Sequence, residues 1–158
     1  MAVRNIVKYG DEVLQKKCRT VEKFDDRLKM LIEDLFDTLR ESGGVGLAAP
    51  QVGVLRRVCV IDIDGEVFEL VNPEITCTEG EQTGAEGCLS YPGKFGKVTR
   101  PNKVSVKAQD RNGEWHEYSG EELLARAFCH EIDHLDGHMF MELVTEWYET
   151  DNDGGDLD

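Results

Sequence analysis

The clearest hydrophobic pattern in the chain predicts an amphipathic helix that begins at Asp25 or Asp26. Its apolar residues recur at the three- and four-residue spacing of one helical face: Leu28, Leu31, Ile32, Leu35, Phe36 and Leu39. Gly43 and Gly44 follow the pattern and suit the end of a helix. Upstream, Asp11 suits the start of a brief helix that reaches Leu14. We expect the long helix to serve packing rather than chemistry.

A second helical pattern occupies the C-terminal third of the chain. Its apolar face consists of Leu124, Ala127, Phe128 and Leu135. Ser119, followed three residues later by Glu122, predicts a capping box at the start of this helix. Gly137 suits its end.

Between the two helical patterns, short runs of β-branched and aromatic residues predict strands. Residues 58–63 and 67–71 flank the turn sequence Asp64-Gly65, and residues 104–109 and 115–118 flank Asn112-Gly113. Both dipeptides are strong hairpin signals. Residues 75–78 predict one further short strand.

The segment 44–53, GVGLAAPQVG, is a run of small residues between the first helix and the first hairpin. Small residues allow another chain or a ligand to approach the backbone closely. The Lys-Ser/Thr ending of a Walker loop is missing, so we interpret the segment as a tight loop. Gln51 is the polar side chain in it, and its amide can donate hydrogen bonds.

Composition limits the class of protein. A chain of 158 residues with 40% hydrophobic and 32% charged residues suits one globular domain. A formal net charge of −14 disfavours free nucleic acid as a partner. We see no membrane span, signal peptide or transit peptide, and the five scattered cysteines form no CxxC pair. These features predict a cytoplasmic protein without a disulfide framework.

The pentapeptide His130-Glu131-Ile132-Asp133-His134 is the strongest chemical signal. Two histidines four residues apart lie on one face of a helix and can bind one metal ion. Glu131 can then reach a water molecule at the metal instead of the metal itself. The competing interpretation is a helix with two ordinary histidines. With this motif, the pattern predicts an α+β fold: a mostly antiparallel sheet packed around a C-terminal metal-binding helix, with an N-terminal amphipathic helix.

A catalytic metal site usually has a third protein ligand. The candidates are His138, a carboxylate of Glu142, Glu146 or Glu149, and a cysteine thiolate. Gly137 interrupts the helix before His138, and the glutamates lie in an acidic stretch. We favour Cys88, because its glycine-flanked segment can bring the sulfur close to a helix.

Three motifs together resemble the peptide deformylase family. They are GVGLAAPQ at 44–51, EGCLS at 86–90 and HEIDH at 130–134, in the order and at about the spacing of that family. The resemblance extends over nearly the whole chain before the tail. Gly10 stands where the family commonly has proline, and the C-terminal region is acidic where many members are more basic.

The resemblance implies a metal-dependent hydrolase that removes the N-formyl group from the formyl-methionine of newly made polypeptides and releases formate. It implies that Cys88, His130 and His134 bind one divalent ion, Fe(II) in the cell, with Zn, Ni or Co as substitutes. It also implies one catalytic domain over residues 1–150. Residues 151–158, DNDGGDLD, form an acidic tail that we expect to be disordered. We expect a monomer whose partners are N-formyl-methionyl nascent peptides, which places it near the ribosome.

Within that mechanism, we assign proton transfer to Glu131 and stabilisation of the oxyanion to the Gln51 amide and the Leu89 backbone N–H. Leu123 and Ala127 precede His130 by seven and three residues and share its helix face. With Val45 and Gly46, they are the candidates for the wall of the methionine pocket. Arg100 and Asp133 are expected to pair and hold the helix against the Cys88 segment.

Two other functions fit parts of the pattern. A small HExxH endopeptidase is disfavoured by the short chain, the absence of a signal peptide and the position of Cys88. A binding module with a structural metal site would use His138 as a fourth ligand, and an exchangeable water at the metal would exclude it.

Overall fold

The computed structural model describes residues 2–149, and the acidic tail predicted for 151–158 lies outside this range. The two helices are α1 (Asp26–Ser42) and α2 (Leu123–Leu135). The strands are β1 (Gly46–Ala48), β2 (Val58–Ile63), β3 (Glu66–Glu79), β4 (Gln82–Cys88), β5 (Tyr91–Arg100), β6 (Lys103–Gln109), β7 (Trp115–Glu121) and β8 (Glu146–Tyr148). Short 3-10 turns span Glu12–Gln15, Ala49–Val52 and Phe140–Leu143. Within the described range, no helix is both long and apolar enough to cross a membrane.

The strands form two antiparallel sheets. The five-stranded sheet has the order β1-β2-β3-β6-β7, and the three-stranded sheet has the order β4-β5-β8. The α+β class and the mostly antiparallel pairing are confirmed, as are both predicted hairpins. The division of the strands between two sheets was not predicted.

Helix α1 begins and ends as its sequence predicts. The Asp25 side chain accepts a hydrogen bond from the Leu28 N–H at 3.0 Å, which satisfies one free donor of the first turn. Gly43 ends the helix with a φ of 80°, a left-handed conformation that glycine adopts without strain. The short 3-10 turn after Asp11 is likewise capped by that aspartate.

The part of the five-stranded sheet formed by β1 and β2 is buried on both faces because α1 packs on one face and α2 on the other. Along β2, Val58 and Val60 contact the residues of α1, whereas Cys59 and Ile61 belong to the cluster around α2. Alternate residues of a strand point to opposite faces, so a strand between two helices must be apolar throughout. This explains why the first four residues of β2, 58–61, are all apolar and buried, and it fixes α2 against the sheet.

The predicted cap of α2 is wrong because strand pairing prevailed over the local signal, and the predicted strand at 75–78 is present as part of a longer strand. Ser119 does not cap α2, because it lies in β7 and its hydroxyl is 2.7 Å from that of Ser105. The predicted strand 75–78 is the continuation of β3 beyond Pro73, where the register with β6 shifts. Proline is tolerated at such an irregularity.

Two regions contain more regular structure than their sequences indicate. Residues 44–53 include β1 and a 3-10 turn rather than a loop alone. The segment between the predicted hairpins forms the β4–β5 hairpin, in which Cys88 pairs with Tyr91 across a tight turn. Strand β8 then adds to the free edge of β5. Thus β4 carries Cys88 to α2.

Candidate metal centre

Helix α2 directs His130 and His134 toward one point. Their ring centroids are 5.0 Å apart. Both residues are buried, with a relative solvent-accessible surface of 7% for His130 and 1% for His134. The spacing of four residues places both rings on the same face, as the sequence predicts. Two imidazoles are thus held together inside the protein.

Cys88 reaches the same point from the end of β4. Its Sγ lies 3.4 Å from His134 Nε2, and the ligand atoms of Cys88, His130 and His134 all lie within 4.8 Å of one another. Ligand atoms around a tetrahedral ion with ordinary metal–sulfur and metal–nitrogen bonds stand about 3.5 Å apart. The three donors are therefore close enough to share one ion.

The other candidates for a third ligand lie elsewhere. His138 is beyond the end of α2, its side chain is 60% exposed, and its Nδ1 is 3.0 Å from Glu142 Oε1. Glu146 is exposed in β8 and lies 3.8 Å from Lys97. Across residues 2–149, the donor group around Cys88 includes neither His138 nor Glu142, Glu146 or Glu149.

Glu86 is a residue of the site that the sequence analysis did not assign. It lies two residues before Cys88 on β4, and its Oε2 is 2.6 Å from His130 Nδ1. A carboxylate accepts at this distance, so Nδ1 carries the hydrogen and Nε2 keeps its lone pair for a metal. A carboxylate behind a ligating histidine is common in metal sites and could have suggested a role for the glutamate of EGCLS.

Two buried arginines hold Glu86. Arg100 donates to both of its oxygens, at 3.1 and 2.6 Å, and Arg126 donates to Oε1 at 2.7 Å. Arg100 also donates to Asp133 Oδ2 at 2.7 Å. The expected pairing of Arg100 with Asp133 is therefore present and ties α2 to the strands that carry Glu86 and Cys88.

These contacts shift the pKa values of the site. Burial opposes the charge on Glu86, but hydrogen bonds from His130 and Arg100 prevail and hold its pKa far below the usual range. Burial raises the pKa of Glu131 to about 7, because the charged form is poorly solvated there. Burial and the neighbouring His130 lower the pKa of His134, which favours the neutral imidazole that binds metals.

Glu131 lies beneath β1. A Cβ added at Gly46 would come within 2.5 Å of Glu131 Oε2, so only glycine leaves room for the carboxylate. The close approach expected of the small-residue segment is thus made by a side chain of α2. Glu131 Oε1 is buried and has no hydrogen-bond partner among the described residues.

Gln51 also borders the site. Its Nε2 donates to Ser90 Oγ at 3.1 Å and lies 3.5 Å from Cys88 Sγ, while its Oε1 accepts from the Ala48 N–H at 2.9 Å. The amide is buried and therefore fixed in orientation. Leu89 follows Cys88 directly, and its side chain packs close to Gly44.

A cavity of about 640 Å³ opens beside Glu131 and His130. The four residues predicted for the pocket, Val45, Gly46, Leu123 and Ala127, all line it. Cys88, Leu89 and Arg126 lie in its wall as well. Its volume is in the range of small-molecule sites.

The residues fit a divalent metal ion. Two imidazoles and a thiolate suit several first-row transition metals. Glu131 Oε1 is buried without a hydrogen-bond partner within residues 2–149, which is typical of a polar group that a further ion or molecule satisfies. A donor set with a free carboxylate beside it and an open cavity in front defines a metal-dependent hydrolase.

Comparison with known proteins assigns the family. A family model described as "Polypeptide deformylase" matches residues 3–149. A peptide deformylase of Lachnoclostridium phytofermentans is 58% identical over 147 residues, which cover 91% of this chain and 90% of the relative. The chain belongs to the polypeptide deformylase family.

Solved structures agree with this assignment. A peptide deformylase from Legionella pneumophila matches with a TM-score of 0.88 and 49% identity, covering 90% of this chain and 86% of the other. The enzyme from Thermotoga maritima matches with a TM-score of 0.88 and 39% identity, covering 90% and 98%. The protein is therefore a hydrolase that removes the N-formyl group from nascent polypeptides, as the resemblance implied.

Proposed function

We propose that Cys88, His130 and His134 hold one divalent ion and that Glu131 performs the proton transfers of deformylation. The proximity of the three donor atoms supports this ligand set, since all lie within 4.8 Å of one another. The ion is Fe(II) in the cell, and Zn, Ni or Co can substitute because the same donors suit each of them.

When bound, the ion supplies Lewis acidity, which polarises the formyl group and makes a water molecule more acidic. The oxygen of a water molecule attacks the formyl carbon, and Glu131 accepts a proton from that water as the new carbon–oxygen bond forms. The same carboxyl returns the proton to the nitrogen as the carbon–nitrogen bond breaks. The second proton of the water passes from the formic acid to the amine, so formate and a protonated amino terminus leave, and Glu131 is again a carboxylate.

Gln51 and Leu89 stabilise the negative charge that develops on the formyl oxygen. The position of the Gln51 amide, 3.5 Å from Cys88 Sγ, supports this role, because it places a hydrogen-bond donor beside the metal ligands. The Leu89 N–H belongs to the peptide bond that follows Cys88. Donors fixed before the reaction stabilise a developing oxyanion without having to reorganise.

The methionine side chain occupies the cavity of about 640 Å³, with Val45, Gly46, Leu123 and Ala127 in its wall. Val45 and Leu123 are exposed, with a relative solvent-accessible surface of 39% and 48% respectively. They line the part of the cavity that is open to solvent. Burial of a flexible apolar side chain there positions the formyl group in front of Glu131.

We further propose that residues 1–150 form the catalytic domain of a cytoplasmic monomer that meets its substrate near the ribosome. The substrate supports this location, since formylated chains begin there.

The buried Glu131 carboxylate beside the donor group is the observation that carries the mechanism. Glu131→Ala should retain the metal and lose nearly all turnover, because the ligands remain and the proton acceptor is gone. Metal content and formate release, measured on the same preparation, test this. Substantial activity in the variant would remove Glu131 from proton transfer.

Formate release from formyl-Met peptides, assayed anaerobically with and without a chelator, separates deformylation from the alternatives. Digestion of an unblocked protein would instead indicate the endopeptidase. A closed site with His138 as a fourth ligand would indicate a structural metal. The exposure of His138 and its contact with Glu142 disfavour that last possibility.

A further inference from the structure

The N-terminal segment 2–10, here called the N-terminal strap, connects the two turns that carry the proposed oxyanion donors. The Val7 N–H donates to the Gln51 carbonyl oxygen at 2.7 Å, and the Tyr9 N–H donates to the Ser90 carbonyl oxygen at 2.7 Å. We propose that the strap positions Gln51 against the Cys88–Ser90 turn and that Tyr9, through its N–H, is a positioning residue for deformylation. This inference rests on the proposed role of Gln51.

The far end of the strap is anchored on α1. The Ala2 N–H donates to Asp34 Oδ1 at 2.7 Å, and the Arg4 guanidinium donates to Oδ2 at 2.9 Å. The Arg4 N–H donates to Thr38 Oγ1 at 2.8 Å. The Asp34 carboxylate that accepts these hydrogen bonds is buried, whereas the Arg4 side chain is 31% exposed. The strap is therefore fixed on the core before it reaches the site.

The two hydrogen bonds of the strap set a distance, because they leave the chain at positions with only one residue between them. Val7 and Tyr9 are two residues apart, so their acceptors on Gln51 and Ser90 are held at a defined separation. The Gln51 side chain spans the same gap and donates to Ser90 Oγ at 3.1 Å. The N-terminal strap and the Gln51 side chain thus connect the same two turns, those of Gln51 and Ser90, through separate hydrogen bonds.

Loss of one of these hydrogen bonds should change the orientation of the Gln51 side-chain amide and leave the fold intact. The Gln51 Oε1 stays bound to the Ala48 N–H, whereas Nε2 depends on where the Ser90 turn lies. A shift of that turn moves Cys88 and Leu89 with it, because they belong to the same hairpin. Displacements near 1 Å at reacting groups are costly in rate.

The backbone at Tyr9 allows a specific test. Tyr9 and Gly10 form a turn closed by a hydrogen bond from the Asp11 N–H to the Lys8 carbonyl oxygen at 3.2 Å, and Gly10 has a φ of 106°. Proline is favoured at the first central position of such a turn. Tyr9→Pro therefore removes the N–H without opposing the turn. Tyr9→Ala is the matched control, since both variants lose the ring that contacts Tyr91 but only proline loses the donor.

We expect Tyr9→Pro to have a kcat about tenfold below that of Tyr9→Ala, with a similar KM and similar metal content, because a lost positioning hydrogen bond acts in the transition state. Hydrogen exchange of the metal-loaded proteins gives a second measurement that does not depend on activity. Residues 88–91 should exchange faster in Tyr9→Pro than in Tyr9→Ala, while α1 should not change.

Equal kcat values and equal hydrogen exchange in Tyr9→Pro and Tyr9→Ala would overturn the proposal.

A second pair of variants tests the anchor of the strap on α1. Arg4→Met should lower kcat, because it breaks the contact with Asp34. Arg111→Met, which breaks a partly exposed ion pair with Glu69 and Glu33, should not lower it. Gln51→Ala separates this proposal from the mechanism it rests on. If Gln51→Ala keeps its kcat, the oxyanion role itself fails; if only that variant loses kcat, the strap alone fails.

Discussion

Replacement of Glu86 by glutamine tests how the buried charges support both the fold and the proposed metal ligands. Glu86 and Arg100 are about 95% buried as side chains, and Arg126 is 10% exposed. Glutamine has nearly the same shape but no charge, so Arg100 would keep only Asp133, whose side chain is 32% exposed, as a charged partner. Arg126 would keep its hydrogen bond to the Val98 carbonyl oxygen at 3.2 Å but would lose its carboxylate. Removing one partner of a buried ion pair costs about 3–5 kcal/mol.

For a domain of this size, that loss corresponds to a decrease in Tm of about 6–20 °C. Urea unfolding of the metal-free protein measures the free energy directly. Glu69→Gln is the control, because Glu69 binds Arg111 in a partly exposed ion pair, where the expected cost is about 1 kcal/mol or less. Equal destabilisation by the two substitutions would refute the reasoning.

The same substitution should weaken metal binding about 10- to 100-fold, because Glu86 holds His130 Nδ1. It should also change the acid stability. The folded-state pKa of Glu86 is depressed, so its stabilisation is complete above the ordinary glutamate pKa and is lost as the pH falls toward the folded value. The difference in unfolding free energy between wild type and Glu86→Gln should therefore shrink below about pH 4.

Two further predictions concern the residues around Glu131. Gly46→Ala should abolish most turnover with the metal retained, because the added Cβ would meet Glu131 Oε2 at 2.5 Å; normal kcat with unchanged metal content would contradict this contact. Gln51→Ala should lower kcat about 10²- to 10³-fold, as for removal of one oxyanion donor. A change confined to KM, measured with a formyl-Met peptide, would exclude the oxyanion role.

Residues whose chemistry depends on local spacing were predictable from the sequence. His130 and His134 needed only the helical period, and the boundaries of α1 followed from Asp25 and Gly43. The position of Cys88 beside them was inferred from its glycine-flanked segment and from family resemblance. No periodicity within 82–100 indicates the hairpin that brings the sulfur to α2.

Contacts between distant segments were harder to predict. Glu86 is recognisable only when β4, β5 and α2 are assembled, because its partners Arg100, Arg126 and His130 are 14 to 44 residues away in sequence. Gly46 is likewise interpreted from sequence as part of a tight loop, and its contact with Glu131 is visible only in the folded structure. The roles of Glu86 and Gly46 both depend on tertiary packing, which local sequence patterns do not predict.

The ligand set is tested most directly by X-ray absorption at the metal edge of the iron-loaded enzyme, prepared anaerobically. Coordination by Cys88, His130 and His134 predicts one sulfur scatterer and two imidazole nitrogens around the ion. A first coordination sphere without sulfur would contradict the central claim, whatever the activity of the sample.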